Sequence, residues 1–398
     1  MNYTPALWKL LLICSIASFC ALLPADVIPA LALQFQITSD HAESILSWFL
    51  LGYGVGPLVY GPIANCIGRK KTLLTGFTVA FTGMMASVVS LTTDWYALML
   101  IGRLLAGIGT SAGLIIGMLM LNETNEPTEA RRKYSIIILF FAFAPALAMA
   151  IGGQLLSHLG ASSVIITMPI ILVLLIVMSL TFKETYKDSP VPIQVRQLAH
   201  DYTHAFCSTP FIFLAFIMAT ASAAMYLFNG LSPLIAINAL GIAPKVYGEL
   251  AIISSAGLFF GALFSARLAN ALTANQHIFI ALLVSLMGSL IMLVAFTLNT
   301  INLYTLLVPA FLIFCGAAII VPNTSMTALH RSSNPAIAAS VINGTALIMS
   351  SVILSVGGYA FRWGFLTLPL SLCLMAILGL IFFVLASREP YHQADCGE

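Results

Sequence analysis

Twelve stretches of this chain are each apolar for about twenty residues or more, and that pattern constrains the fold more tightly than anything else in the sequence. They fall at roughly 7–33, 44–65, 72–92, 96–121, 134–157, 162–183, 210–238, 246–270, 276–298, 302–329, 336–360 and 363–386. A bilayer core about 30 Å thick is crossed by about 20 helical residues. Inside lipid every backbone amide must be satisfied within the structure, which favours helices for segments of this kind. The chain is 60% hydrophobic and 8% charged, against about 25% charged residues in a soluble domain. The expected fold is therefore an all-α integral membrane protein of twelve transmembrane helices. The net charge of +2 and the absence of a basic domain argue against nucleic acid as a partner. The apolar run at the N-terminus is read as a retained first helix rather than a cleaved signal peptide, because further spans follow at once and no clean cleavage site stands out.

One connection is long: residues 184–209, polar, with Pro190 and Pro192. It divides the chain into an expected N-terminal half (1–183), a linker (184–209) and a C-terminal half (210–398) with a short tail. With the N-terminus inside, thirteen of the sixteen Lys and Arg residues lie on the inner side, and only Lys245 and Arg362 on the outer. Such a bias places both termini in the cytoplasm. Gly61 and Gly261 are 200 residues apart, and Gly152-Gly153 and Gly357-Gly358 are 205 apart. These matches suggest two six-helix pseudo-repeats, an architecture that places a transport cavity at the midplane between them.

Asp26 is the one acid that the hydropathy pattern puts clearly at membrane depth; the other thirteen map to loops or ends. A carboxyl there is costly and usually functional, and desolvation makes it a proton-binding candidate. Pro24 and Pro29 flank it, so the first helix should break or bend nearby. Arg103, in the fourth span, keeps its charge under all ordinary conditions and needs a partner or water; it would sit in the same half and feel the charge of Asp26. Tyr53, Tyr60, Gln154, Tyr226, Phe228, Asn229, Asn323 and Asn343 supply the polar and aromatic groups of an amphipathic substrate cavity, or else hydrogen-bond between helices. "GTSAG" (109–113) has the spacing of a hydrolase nucleophile motif but lies inside a helical run without a matched His and Asp; small residues there serve close helix packing instead. The seven cysteines have no metal-ligand spacing and read as small apolar fillers. No enzyme, metal or nucleotide-driven transport is expected.

Together, twelve spans, a long central connection and the charged turn "GPIANCIGRKK" resemble the major facilitator superfamily. Within it the turn is similar to the signature of the Bcr/CflA branch of proton-coupled drug exporters. Gly61, Pro62, Gly68, Arg69 and Lys70 match; Asn65 stands for the branch's aspartate and Cys66 for its first arginine. Arg103 and Gly107 match a fourth-span motif in which Ala106 replaces glutamine. Ala144, Pro145, Gly152 and Gly153 match the fifth-span antiporter motif, with Met149 in place of a second proline. Asp26 resembles the first-span aspartate of the branch, although Pro29 follows one residue sooner.

The resemblance implies a gating role for Gly61, Asn65, Gly68, Arg69, Lys70, Pro145, Gly152 and Gly153, and proton coupling through Asp26 and Arg103. It further implies a monomer in a bacterial inner membrane that uses protons, a small-molecule substrate and no cofactor. Efflux of drugs or of an endogenous metabolite is the expected activity; a dedicated siderophore exporter or a nutrient importer on the same fold are the alternatives. The uncharged Asn65 implies a weakened latch at that turn.

Overall fold

The computed structural model describes residues 4–186, 203, 209–268, 271–330 and 335–388. Most of the 184–209 linker lies outside them. Among the described residues there are twelve membrane-length helical spans: Leu7–Gln34, Ser44–Ile67, Arg69–Thr93, Tyr96–Thr124, Arg132–Leu159, Ala161–Leu180, Phe211–Ala239, Pro244–Leu268, Ala274–Thr297, Leu303–Ala328, Ala338–Phe361 and Thr367–Arg388. They are called the first to twelfth spans below.

The first span is broken where its prolines predict. A regular helix, Leu7–Leu22, gives way to a single 3-10 turn, Ala25–Val27, and then to a second helix, Ile28–Gln34. The reason is local: Pro24 has no N–H to offer the Cys20 carbonyl, whereas Pro29 sits in the first turn of the second piece, where no donor is needed. The seventh span is also irregular, but further along. Its helix ends at Pro233 and continues as a π-helical turn, Leu234–Ala239.

Glycines set the packing inside each half and fix the register of the repeat. A Cβ on Gly52 would strike the Leu104 carbonyl, and one on Gly257 the Phe311 carbonyl; Gly56 meets Ile108 as Gly261 meets Cys315. Gly109 lies on Gly76 and Ala80, and Gly316 on Ala281 and Ser285. Gly152 meets Leu23, and Gly357 meets Leu227. The matching offset is thus 205 residues for the second and eighth spans (52 to 257, 56 to 261) and for the third and ninth (76 to 281, 80 to 285). It is 204 between the first and seventh (Leu23 to Leu227) and 207 between the fourth and tenth (Gly109 to Gly316). The sequence match of Gly61 with Gly261 is therefore a misregister: Gly261 packs on the tenth span, while Gly61 faces open space. The counterpart of Gly261 is Gly56.

The chain forms two compact units that exchange one short segment each. One comprises Met1–Thr38, Ser44–Ile193 and Ala243–Glu249; the other comprises Ser39–Glu43, Gln194–Ile242 and Leu250–Glu398. Each half of the chain thus contributes one short segment to the other half's unit: the residues just before the second span, and the first turns of the eighth.

Candidate functional site

The site in the first unit is built on the broken first span. Asp26 lies in the 3-10 turn, 1% exposed, and neither carboxyl oxygen has a hydrogen-bond partner. Three glycines surround it. Cβ atoms on Gly248, Gly153 and Gly152 would lie 3.0, 3.3 and 3.8 Å from Asp26 Oδ2. Gly248 belongs to the segment contributed by the second half-chain; Gly152 and Gly153 belong to the fifth span. Neighbours without side chains let backbone press close to the carboxyl. An ionised carboxylate in such a place would be uncompensated, and burying a lone charge is far more costly than burying a neutral acid. Gln154, next along the fifth span, donates from Nε2 to Glu249 Oε1 at 2.7 Å, and so fastens the same contributed segment. The sequence placed Asp26 and the fifth-span glycines in separate roles; the fold brings them together and adds Gly248, which the sequence reading missed.

Arg103 is also buried, 1% exposed, but it does not meet Asp26. Its guanidinium donates to three carbonyls: Ile45 through Nε (3.0 Å), Cys20 through Nη1 (3.1 Å) and Ala21 through Nη2 (3.2 Å). The Phe49 ring lies 4.4 Å away, within cation–π range. The Cys20 carbonyl is the one left without a helical donor by Pro24. Arg103 therefore completes the broken helix that carries Asp26, and reaches it through that backbone and not through a direct pair.

A second cluster surrounds the turn between the second and third spans. Gly68 takes φ +91°, a conformation that favours glycine, and precedes the helix Arg69–Thr93. The Glu184 carboxylate, 115 residues on, accepts the backbone N–H groups of Arg69 (2.8 Å) and Lys70 (3.1 Å). This is anion binding at a helix N-terminus. The Arg69 side chain pairs with Glu123 (2.7 Å), donates to Asn65 Oδ1 (2.8 Å) and lies 4.3 Å from the Tyr186 ring. Lys70 Nζ donates to the Leu180 carbonyl at 2.7 Å. Asn65 thus fills an acceptor position without charge, and Glu123 and Glu184, absent from the sequence reading, supply the carboxylates.

Tyr53 and Asn229 are buried, and Tyr226 is half-buried. Phe228 is buried edge-on against Phe314, with ring centroids 5.6 Å apart. Asn323 donates to the Ile319 carbonyl of its own helix (2.8 Å) and to Ser265 (3.2 Å), and Asn343 donates to Ala339 (2.8 Å). Pro145 lies within the helix Pro127–Leu159. In "GTSAG", Gly109 packs on the third span, Ser111 on Gly56 of the second and Gly113 on Ile13 of the first; Ser111 donates to the Ile108 carbonyl at 2.6 Å. The motif is a three-sided helix seat.

Glu43 is the buried acid that hydropathy did not single out. It is fully buried, both oxygens lack a hydrogen-bond partner, and Oε2 sits where a Cβ on Gly230 would lie. Its signal in the sequence is weak, because "SDHAES" reads as an ordinary polar connection.

Comparison with known proteins agrees with this architecture. The family described as the Major Facilitator Superfamily matches residues 10–358. The chain is 24% identical over 393 residues to "Multidrug resistance protein D" of Escherichia coli (strain K12), covering 98% of this chain and 97% of that protein. It is 23% identical over 331 residues to "Chloramphenicol resistance protein CraA" of Acinetobacter baumannii, covering 83% and 78%. Among solved structures, that of a D-xylose–proton symporter superposes with a TM-score of 0.77 at 13% identity, covering 96% of each chain. The twelve spans, the repeated glycine packing and this family match lead to one conclusion: the chain belongs to the Major Facilitator Superfamily and is a membrane transporter rather than an enzyme.

Proposed function

We propose that the protein is a proton-coupled exporter of amphipathic small molecules, with Asp26 as its proton-binding carboxyl. The observation that carries this reading is a buried, unpartnered acid in a broken helix, enclosed by glycines of the fifth span and by Gly248. Gly248 lies in the first turns of the eighth span itself. A change of charge at Asp26 therefore acts directly on chain that leads into the second half. Neutral Asp26 tolerates the close backbone of Gly248 and Gly153; an ionised Asp26 requires water or a cation, and so favours a state in which this seat is opened. Such a linkage shifts the population of states only because the proton binds them with different affinity. Arg103 holds the broken helix in shape throughout.

Export is favoured over import by the resistance proteins among the relatives. The Lys/Arg distribution supports an orientation with both termini cytoplasmic, as expected for a bacterial inner-membrane protein. In inverted vesicles with an imposed proton gradient, Asp26→Asn should abolish gradient-driven uptake of substrate while leaving substrate exchange at equal pH measurable. Full gradient-driven transport by Asp26→Asn would overturn the assignment. The same assay run in both directions over a substrate panel tests export against import.

A further inference from the structure

Among the described residues, each unit buries one carboxyl without a hydrogen-bond partner, Asp26 in one and Glu43 in the other. The repeat relates them. At the offset of 204 that joins the first and seventh spans, Asp26 corresponds to Gly230. At the offset of 205 that joins the second and eighth spans, Glu43 corresponds to Gly248. In the first unit the acid belongs to the broken span (Asp26) and the glycine to the contributed segment (Gly248). In the second unit the two have traded places: the glycine is on the broken span (Gly230) and the acid on the contributed segment (Glu43), with Leu354 at its border. Leu354 itself corresponds, at 205, to Met149, whose carbonyl would lie 2.6 Å from a Cβ on Gly248. One carboxyl and one glycine occupy equivalent places in both units, so the space that glycine vacates is filled by an acid each time.

We propose that Glu43 is a second proton-binding site of this transporter, and that its neutral form seats the segment Ser39–Glu43 in the second unit. Among the described residues, the two long helices that meet it carry no counter-charge. The helices Thr209–Pro233 and Pro335–Phe361 contain no Asp, Glu, Lys, Arg or His, and their titratable groups are Tyr226 and Tyr359. Its own short helix, Ser39–Ala42, carries Asp40 and His41. A carboxylate at Glu43 that takes one proton from water becomes neutral and fits the seat; losing it leaves a charge facing Gly230 and the Leu354 side chain. Burial pushes the Glu43 carboxyl up from 4.5 to about 8. Seating is fully supported below about 4.5, weakens as the pH climbs, and loses the contribution of the proton above about 8. Because Ser39–Glu43 leads straight into the second span, release of the seat frees chain that joins the two units.

The test uses the full chain in lipid nanodiscs. Infrared pH-difference spectra should show a carboxylic acid band titrating near 8 that disappears in Glu43→Gln and persists in Asp26→Asn. Amide hydrogen exchange over residues 39–43, corrected for intrinsic rate, should quicken as pH rises from 6 to 8 by on the order of tenfold per pH unit. In Glu43→Gln it should stay slow throughout. A second variant, Gly230→Ala, places a methyl against Oε2 and should quicken exchange already at pH 6. The proposal is overturned if Glu43→Gln leaves the infrared spectrum unchanged, if its exchange quickens as in the wild type, or if Gly230→Ala leaves exchange unaltered. None of these readouts involves transport, so the outcome for Glu43 is separate from the outcome for Asp26 as the coupling acid.

Discussion

The third and ninth spans are repeats of one another, yet their helices begin in opposite ways. The ninth span caps itself: the Thr273 hydroxyl accepts from the Gln276 N–H, and the Gln276 side chain accepts from the Thr273 N–H. The third span starts at Gly68, which has no side chain to cap with, and borrows Glu184 from beyond the sixth span. One terminus is satisfied by four consecutive residues; the other is satisfied only when distant chain is in place. The cores differ in the same sense. Arg103 stitches three spans of the first half through carbonyls, whereas its counterpart at offset 207 is Ala310, buried near aromatic pairs such as Phe228–Phe314 and Phe260–Phe311. A repeat preserves packing geometry, and the chemistry that fills it is free to diverge. Among the described residues, the long-range bonds made by charged side chains lie mainly in the first half.

The largest test of that contrast is Arg103. Arg103→Ala leaves the Cys20 carbonyl without a donor, removes charged donors from the Ala21 and Ile45 carbonyls, and empties a buried site, so a loss of roughly 3 kcal/mol is expected. Ala310→Ser at the equivalent point should cost only about 1 kcal/mol, because its hydroxyl can bond within its own helix. Thermal unfolding in detergent measures both, and equal losses would erase the distinction. Arg103→Lys should recover only a fraction, since an ammonium lacks the planar fork that reaches several acceptors.

The next contrast is steric. A methyl on Gly152 meets the Leu23 backbone carbonyl, while a methyl on Gly357 meets the tip of the Leu227 side chain. Gly152→Ala should therefore cost about 1–3 kcal/mol, and Gly357→Ala clearly less, because a side chain moves where a backbone does not. Reversal of that order would show that the first-half contact is the more pliable one.

At the helix starts the expected effects are smaller. Glu184→Gln removes a charged acceptor from two N–H groups and should cost about 1–2 kcal/mol, shrinking at high salt. Thr273→Ala should cost about 1 kcal/mol with little salt dependence. A salt-insensitive Glu184→Gln would reduce that carboxylate to an uncharged cap.

The smallest effect concerns the turn itself. Restoring charges with Asn65→Asp and Cys66→Arg adds an acid beside an Arg69 that Glu123 already engages. The shift in distance or cysteine-accessibility measurements toward closure at this turn should therefore be slight. A large shift would show that the uncharged Asn65 does weaken the latch, despite Glu123 and Glu184.

Much of the fold was legible without coordinates. Twelve spans follow from hydropathy because crossing a bilayer is a demand on each segment alone. The break near Asp26 follows from Pro24 and Pro29, because a missing N–H acts within one turn of helix. The packing role of "GTSAG" follows from side-chain size and context. The register of the repeat was not legible. Gly61 and Gly261 look alike in sequence, and only their neighbours, open space for one and the tenth span for the other, separate them. Glu184 was equally hidden, since nothing in "KET" announces a partner 115 residues away.

The sequence by itself determined that this chain spans a membrane, where its first helix breaks and that one acid lies at the break. Each of those is written in residues a few positions apart. Tertiary structure alone decided what surrounds the acids: Asp26 against Gly248, Glu43 against Gly230, Arg103 on carbonyls rather than on Asp26. A carboxyl's environment is made by whatever backbone comes within a few ångströms, and here that backbone is supplied by segments some two hundred residues away.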